Sequence, residues 1–560
     1  MWPNSRDPPS AMLDSKGNLL TSNKAIEKRA LEVFSERLEG NTMKDHLKDL
    51  DEETNYLCDA RTKLVKLNKT APWTIEELKD VLKKLDNDKS RDAEGHCNEL
   101  FKENAEGTDL VKAVLSLMNL IKEKQEFPKI MEKCNITTLH KKKSKQDFSN
   151  YRGIFRVSTL RSILDRLIYN SCYETIDSNL SDGNVGARKR RGCRDNIFVL
   201  SAINNSVLNG KSDSIQIQVT DVKTCFDKLW LQSSINKLYE NGLNNDMLNL
   251  LYIENKNVQI AVKVNGGLTK RVNVKDIELQ GSVWAGLKCT SVMDNLNKTV
   301  MADESLQYYY KEDKDIPIGV RGMIDDTLGV SKCGNSAIKL NAVINSFVES
   351  QRLEMSKEKS VVIHVGRKHE NSLPCPTLKV HDSDMIVEDS VKYLGNILTS
   401  KGGIKDTIED RRNKGWGKVA AIKGILSQID MGDNRVEMGL LLRKSILVNS
   451  LLFTAETWSN LKEADIKRLE QVDQGLLSSL VSGHSKCASE FVYLETGSLK
   501  LRHILTQNRL MFHHYLLGLN EEETLKKVYE KQKKDPTKSD WFQLLTKDFQ
   551  FIEETMDENK

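Results

Sequence analysis

The sequence holds a single Asp-Asp dipeptide, Asp325-Asp326, inside the run Ile-Gly-Val-Arg-Gly-Met-Ile-Asp-Asp-Thr-Leu-Gly-Val over 318–330. Two adjacent carboxylates repel each other, and a turn holding both becomes favourable when a divalent cation sits between them. Alone, the pair is ordinary turn chemistry, because Asp readily bonds its own backbone. A third acid changes the reading. Asp221 follows the run Ile-Gln-Ile-Gln-Val-Thr of 215–220, about a hundred residues upstream. Three carboxylates brought together suit a two-metal site that moves nucleotidyl groups: one cation activates a hydroxyl, and the other steadies the leaving oxygen.

Bringing Asp221 to the pair takes a strand and a hairpin. Ile215, Ile217 and Val219 alternate with polar residues, which predicts a strand with one buried face. Apolar, β-favouring residues between Gly322 and Gly329 predict a β-hairpin with Asp325 and Asp326 at its tip. Helical spacing follows Asp221 through Cys225, Phe226 and Leu229. By spacing, Phe226 is either a core residue or a neighbour of the acids. Asp227 reads as a solvent or capping residue and not as a metal ligand.

Six motifs occur in a fixed order. They are Asn150-Tyr-Arg-Gly-Ile154, Gly186-Ala-Arg-Lys-Arg190, Asp221-x-x-x-x-Phe226, Gln280-Gly-Ser282-x-x-x-Gly286, Ile324-Asp-Asp326 and Val391-Lys-Tyr-Leu-Gly395. Their order and spacing resemble reverse transcriptases, and the first two resemble the non-LTR (LINE-like) retrotransposon branch. The resemblance covers roughly residues 72–480. It implies an α+β right-hand polymerase fold with fingers, an antiparallel palm sheet and a helical thumb. It implies RNA-directed DNA synthesis with two Mg²⁺, or Mn²⁺ as a substitute, on Asp221, Asp325 and Asp326. It assigns the incoming nucleotide to Arg152, one of Lys142 or Lys143, Phe226 as a gate against a 2′-hydroxyl, Gln280, Gly281 and Lys359. It assigns primer support to Tyr393, Leu394 and Gly395. The partners implied are an RNA template, a DNA primer or nicked target DNA, and dNTPs, with an endonuclease domain expected outside this chain. Met323 and Ile324 depart from the aromatic and small residues that relatives carry before the two Asp. Gly153 stands where relatives often have Pro.

Basic clusters carry the case for nucleic acid, because the overall balance does not. Lys and Arg total 84 against 80 Asp and Glu, a net charge of +4. The run Lys141–Lys143 is either a solvated turn or a phosphate grip. Arg188, Lys189, Arg190, Arg191 and Arg194 form a second cluster, read as a template-phosphate contact, with a nuclear-localisation reading beside it. Arg411, Arg412 and Lys418 surround an apolar helix face and are assigned to the template as well.

Hydrophobic residues make up 39% of the chain with no long uninterrupted apolar run, so no membrane span is expected. Ten scattered cysteines without a C-x-x-C pair fit reduced thiols in the nucleus or cytoplasm. The expected organisation is a leader and helical extension over 1–70, with 1–20 flexible. Fingers and palm follow over 71–400, a helical thumb over 401–480, and a helical region without an assigned role over 481–560. Thr74 with Glu77 predicts a capping box. Two other readings are a group II intron-like reverse transcriptase and a catalytically inactive or domesticated nucleic-acid-binding relic.

Overall fold

The computed structural model describes residues 11–39, 41–106, 108–141, 143–209, 214–366, 376–428, 434–481, 488–535 and 541–558. It is an α+β protein in which two five-stranded sheets are wrapped by helices.

The central sheet runs in the order Arg321–Met323, Asp326–Lys332, Ile215–Thr220, Val361–Val365, Ile386–Val387. Its pairings are antiparallel except the last, where Val361 and Ile386 run parallel. The strand Ile215–Thr220 therefore lies in the middle, with Val219 opposite Leu328 on one side and Val361 on the other. Alternation predicted one buried face for it, and the structure buries both. Ile215 and Ile217 join an apolar cluster with Phe198, Phe512 and Trp541. The polar face is covered too: Asn341 Nδ2, from the helix Asn335–Ser350, donates to Gln218 Oε1 at 3.1 Å, and Gln216 Nε2 donates to Pro376 O at 2.8 Å. Buried amides are tolerated when bonded in this way.

The second sheet pairs Tyr151–Val157, Lys133–His140 and Asn257–Val264, with two short strands, Gly267–Leu268 and Val272–Lys275, on the last. The helix Asn23–Leu38, capped by Ser22, lays Ile26, Ala30 and Phe34 on it. Before that helix the expected flexible leader is corrected over the described part: Met12–Leu13 pairs with Leu19–Leu20. Asp14 makes the turn, its Oδ1 accepting from the Lys16 and Asn18 amides at 2.8 Å each. The Thr74–Glu77 capping box opens the helix Ile75–Lys83.

After residue 404 the described residues are mainly helical. Lys405–Gln428 and Glu463–Leu480 pack around a core of Ile408, Val419, Leu451 and Leu476. The run Arg435–Thr457 is long and apolar enough, by length and composition, to cross a membrane. The sequence was not expected to hold such a run. Here Leu447, Leu451 and Ala455 of that run are buried in the helical core, and Arg443 is paired with Asp473 at 2.7 Å.

The last helices, Leu501–Leu517, Thr524–Lys534 and Trp541–Glu558, are no appendage. Phe512, Tyr529 and Trp541 close the apolar cluster beneath the central strand, with ring centroids of Phe198 and Trp541 at 5.3 Å. Edge-to-face pairs of this kind contribute about 0.5–1.5 kcal/mol beyond burial. Among the described residues seven cysteines are free, whereas Cys333 is disulfide-bonded, against the expectation of thiols alone. That expectation rested on spacing along the chain, and a disulfide depends on approach in space.

Candidate active site

The catalytic candidates meet where the central strands end. Asp221 directly follows the strand Ile215–Thr220, and its carboxylate accepts from Lys359 Nζ at 2.7 Å. Its backbone is pinned as well: the Ser356 amide donates to Asp221 O at 2.7 Å. On the neighbouring strands Met323 pairs with Asp326, leaving Ile324 and Asp325 as a two-residue turn. Ile324 has φ +62°, in the left-handed region. A β-branched residue there is a true outlier and stores about 1–3 kcal/mol of strain.

The strain is held by a segment far away in sequence. Asn184 Nδ2 donates to Ile324 O at 3.1 Å, and the Ile324 amide donates to Asn184 Oδ1 at 3.2 Å. The same oxygen accepts from the Gly186 amide at 3.0 Å. Gly186 must lack a side chain, since a Cβ would stand 2.4 Å from the Ile324 nitrogen. Behind the turn, Asn196 Nδ2 donates to Gly322 O at 2.8 Å while its Oδ1 accepts from Arg321 Nε at 3.0 Å. Arg321 also faces Asp182 at 3.5 Å, and Asp182 in turn accepts from the Thr524 amide at 2.5 Å. A polar chain thus runs from the C-terminal helices to the Asp325-Asp326 turn.

Electrostatics couple the three acids. Burial raises the carboxyl of Asp325, the Asp221 charge adds to this, and Lys359 and Arg152 oppose it. Burial, then Asp325 and Asp221, push Asp326 up to about 6, although one flank is open to solvent. Among the described residues no three His, Cys, Asp or Glu side chains are drawn into an ion cage. Hard carboxylate oxygens at Asp221, Asp325 and Asp326 still fit a divalent cation such as Mg²⁺. That ion takes one or two carboxylates together with waters and substrate phosphates.

A basic rim faces the acids. Burial, Arg152 and Arg37 lower Lys141, whose field also reaches Asp227 and Lys359. Asp227 lies between these cations: burial raises it and Arg37, Lys141 and Arg152 oppose, so the solvent reading is corrected. Its surroundings come from the helix Asn23–Leu38 and the second sheet, which nothing in the local sequence reveals. Lys142 lies outside the described residues. Lys143 stands exposed in the turn, its carbonyl 3.2 Å from His140 Nε2, so Lys141 is the rim residue that spacing did not single out. Phe226 is half-buried on the apolar cluster that Ile324 also meets. Gln280 and Gly281 lie against the strand Tyr151–Val157: the Phe155 amide donates to Gln280 O at 3.4 Å. Gln280 Oε1 is buried without a partner, and Gly281 has φ +114°.

Tyr393 is buried and donates from its hydroxyl to Arg321 O at 3.4 Å, which ties its hairpin to the one that carries Asp325 and Asp326. Leu394 and Gly395 make the turn at φ +43° and +82°.

Several assigned template contacts are corrected. Arg188 is buried, its Nε on Asp177 Oδ1 at 2.7 Å and its other donors on the carbonyls of Asp177, Ser181 and Asn184. Arg191 is taken by Glu523 at 2.6 Å, and Arg194 lies over Tyr515 at 4.5 Å. Arg411 is buried and donates to Gly395 O at 2.6 Å. The guanidiniums of Arg188, Arg191 and Arg411 are spent on internal partners that sequence spacing could not show, whereas Arg194 keeps about a third of its side chain exposed. Lys189 pairs with Glu174 at 2.9 Å and Arg412 with Glu409 at 3.0 Å, both at the surface. Arg190 is exposed and Lys418 half-exposed.

Residues 140–398 match the family model described as reverse transcriptase (RNA-dependent DNA polymerase). No curated protein matches the sequence. Among solved structures the chain is similar to an apo telomerase from Candida tropicalis truncated from its C-terminal domain. That likeness has 12% identity and a TM-score of 0.35, covering 50% of this chain and 55% of that one. It is also similar to a telomerase from Candida albicans in complex with a TWJ fragment of telomeric RNA, at 13% identity and a TM-score of 0.36, covering 70% and 68%. The chain thus spans 55% of the length of the first of these structures. The acids, the strained turn and the Lys141, Arg152 and Lys359 cations all fall within the residues that match this model, and the match supports a reverse transcriptase domain over 140–398.

Proposed function

We propose that this chain is the polymerase of a non-LTR retrotransposon, extending a DNA 3′-hydroxyl, at a primer or a nicked target, along an RNA template with dNTPs. The observation that carries the reading is the meeting of Asp221 with the Asp325-Asp326 turn, opposite a rim of Arg152, Lys141 and Lys359. In this reading the central sheet is the palm, the second sheet belongs to the fingers, and the helices from Lys405 to Leu480 are the thumb. The ordered motifs from Asn150 to Gly395 support the non-LTR assignment. An endonuclease would reside outside this chain, and the protein would work in the nucleus or cytoplasm.

Asp221, Asp325 and Asp326 would hold two Mg²⁺, or Mn²⁺ in their place. When bound, these ions would supply activation of the attacking hydroxyl and screening of the triphosphate charge as pyrophosphate departs. The chain's own groups do the rest. Arg152 and Lys141 attract the triphosphate. Lys359, released from Asp221, carries a proton that the departing pyrophosphate can take. Phe226 closes the space that a 2′-hydroxyl would need. Gln280 and Gly281 bring backbone close to the template base. Tyr393, Leu394 and Gly395 hold the primer end. Primer extension by the purified chain on an RNA template tests the reading. Incorporation of dNTPs by the wild type and none by Asp325→Ala is expected; equal extension by both refutes it.

A further inference from the structure

The helix Cys193–Asn209 joins two separate sites. Near its start Asn196 bonds Gly322 beside the catalytic turn. Asn205 and Asn209, further along, line a groove of about 770 Å³. At 1.5 Å per residue the groove lies about 14–20 Å along that helix from Asn196.

The groove is strongly one-signed. Among the described residues, Lys401, Lys405, Lys462, Arg468 and Lys547 line it, against the single acid Asp465. All five cations are exposed, and among the described residues none of the five has an ion-pair partner. Cations that point elsewhere from the same region are paired: Lys467 faces Glu463 at 3.9 Å and Arg502 faces Glu470 at 2.7 Å. Leaving five like charges together costs repulsion that an anionic partner would relieve. The helices Lys405–Gln428 and Glu463–Leu480 both begin at this groove, so the positive ends of two backbone dipoles add to the side chains.

The lining also limits which polyanion fits. Apart from the charges it is amide, glycine and aliphatic, with no aromatic ring among the described residues. Single strands are held largely by stacking bases on rings. A base-paired helix hides its bases and offers phosphates, which Lys and Arg neutralise whatever the sequence.

We propose that this groove docks the phosphate backbone of a nucleic-acid duplex, apart from the site of chemistry. It would hold a double-helical stretch while the carboxylates work elsewhere, and it stands whether or not the catalytic reading does.

The test uses the full chain and fluorescence anisotropy over a salt series, with a labelled duplex and a single strand of equal length. Two variants are compared: Lys401→Ala/Arg468→Ala/Lys547→Ala, and the charge-keeping Lys401→Arg/Arg468→Lys/Lys547→Arg. The wild type should prefer the duplex. The alanine variant should lose up to about 2.7 from the slope of log affinity against log salt, at about 0.9 per phosphate contact. The charge-keeping variant should retain the slope, and both should extend a short primer at the wild-type rate. An unchanged slope, an equal loss for single strand and duplex, or a loss confined to phosphatidylserine vesicles overturns the proposal. Failure of the wild type to extend any primer would count against the catalytic reading alone, because the binding arms need no chemistry.

Discussion

Two tight turns stand side by side in this molecule and differ in where they are braced. The turn at Leu394-Gly395 puts a non-glycine residue, Leu394, at positive φ (+43°), and follows it with a glycine at φ +82°, which costs nothing special. Its partner at Ile324-Asp325 places isoleucine at φ +62°, a position that normally calls for glycine. The first turn is braced at its glycine, whose carbonyl accepts from Arg411 at 2.6 Å. The second persists because Asn184, 140 positions away, grips both the amide and the carbonyl of Ile324. Strain held by distant partners tends to collect at functional sites, and here it sits beside the two acids.

The largest break in that comparison removes the chemistry. Asp325→Ala should abolish nucleotide incorporation while RNA binding in a filter assay persists, since only the reacting centre loses charge.

Next comes the support. Asn184→Ala leaves the Ile324 groups unbonded, and a cost of about 1–3 kcal/mol is expected in chemical denaturation. A fall in kcat larger than any change in template affinity should accompany it. Adding Ile324→Gly should recover part of both losses, because glycine accepts the positive φ unaided. Purely additive effects would show that Asn184 does not hold the turn. The same glycine logic run backwards, Gly395→Ala, should cost about 1 kcal/mol. Its Cβ would also meet Phe453 at 3.0 Å. Primer affinity should then weaken more than kcat.

A smaller effect is expected from pH. Asp326 is raised from 3.8 to about 6 in the fold. Between those values the folded chain keeps a proton that the unfolded chain has lost, so stability falls as pH rises through that window and stays low above it. Thermal melts without divalent cation should therefore show a higher Tm at about pH 5 than at about pH 7.5 from this group. Asp326→Asn should shrink the difference. Adding Mg²⁺ should stabilise more at the higher pH, where the carboxylate is free to bind it.

The smallest effect separates two arginines of one cluster. Arg190→Ala should flatten the salt dependence of template binding by about one unit or less. Arg188→Ala should instead lower stability with little change in slope, since its guanidinium is buried on Asp177 and three carbonyls.

The contrast between the turns also marks what could be read from the sequence. Asp221 at a strand end and the Asp325-Asp326 hairpin were legible because alternation and flanking glycines are local signals. The Thr74–Glu77 cap was legible for the same reason. Asn184 was not, because nothing near Ile324 names its partner; the one clue was an isoleucine where a turn wants glycine. The inward Arg188, Arg191 and Arg411 were misread since charge along a chain does not say which carbonyls lie within reach. The buried polar face of Ile215–Thr220 looked solvent-facing because Gln216 and Gln218 find their partners from residues far along the chain.

The C-terminal helices close the core beneath the central strand, and this sets a schedule for biosynthesis. Trp541 leaves the ribosome 320 residues after Asp221, which at ordinary translation speed is roughly 16–64 s. Through that interval Ile215, Ile217 and Phe198 lack the rings that cover them, and Asp182 lacks Thr524. The nascent chain therefore carries an open apolar sheet face that invites chaperones or aggregation, and a catalytic turn still waiting for its last brace. A message broken before the final helices would yield a protein with every acid in place and no finished site.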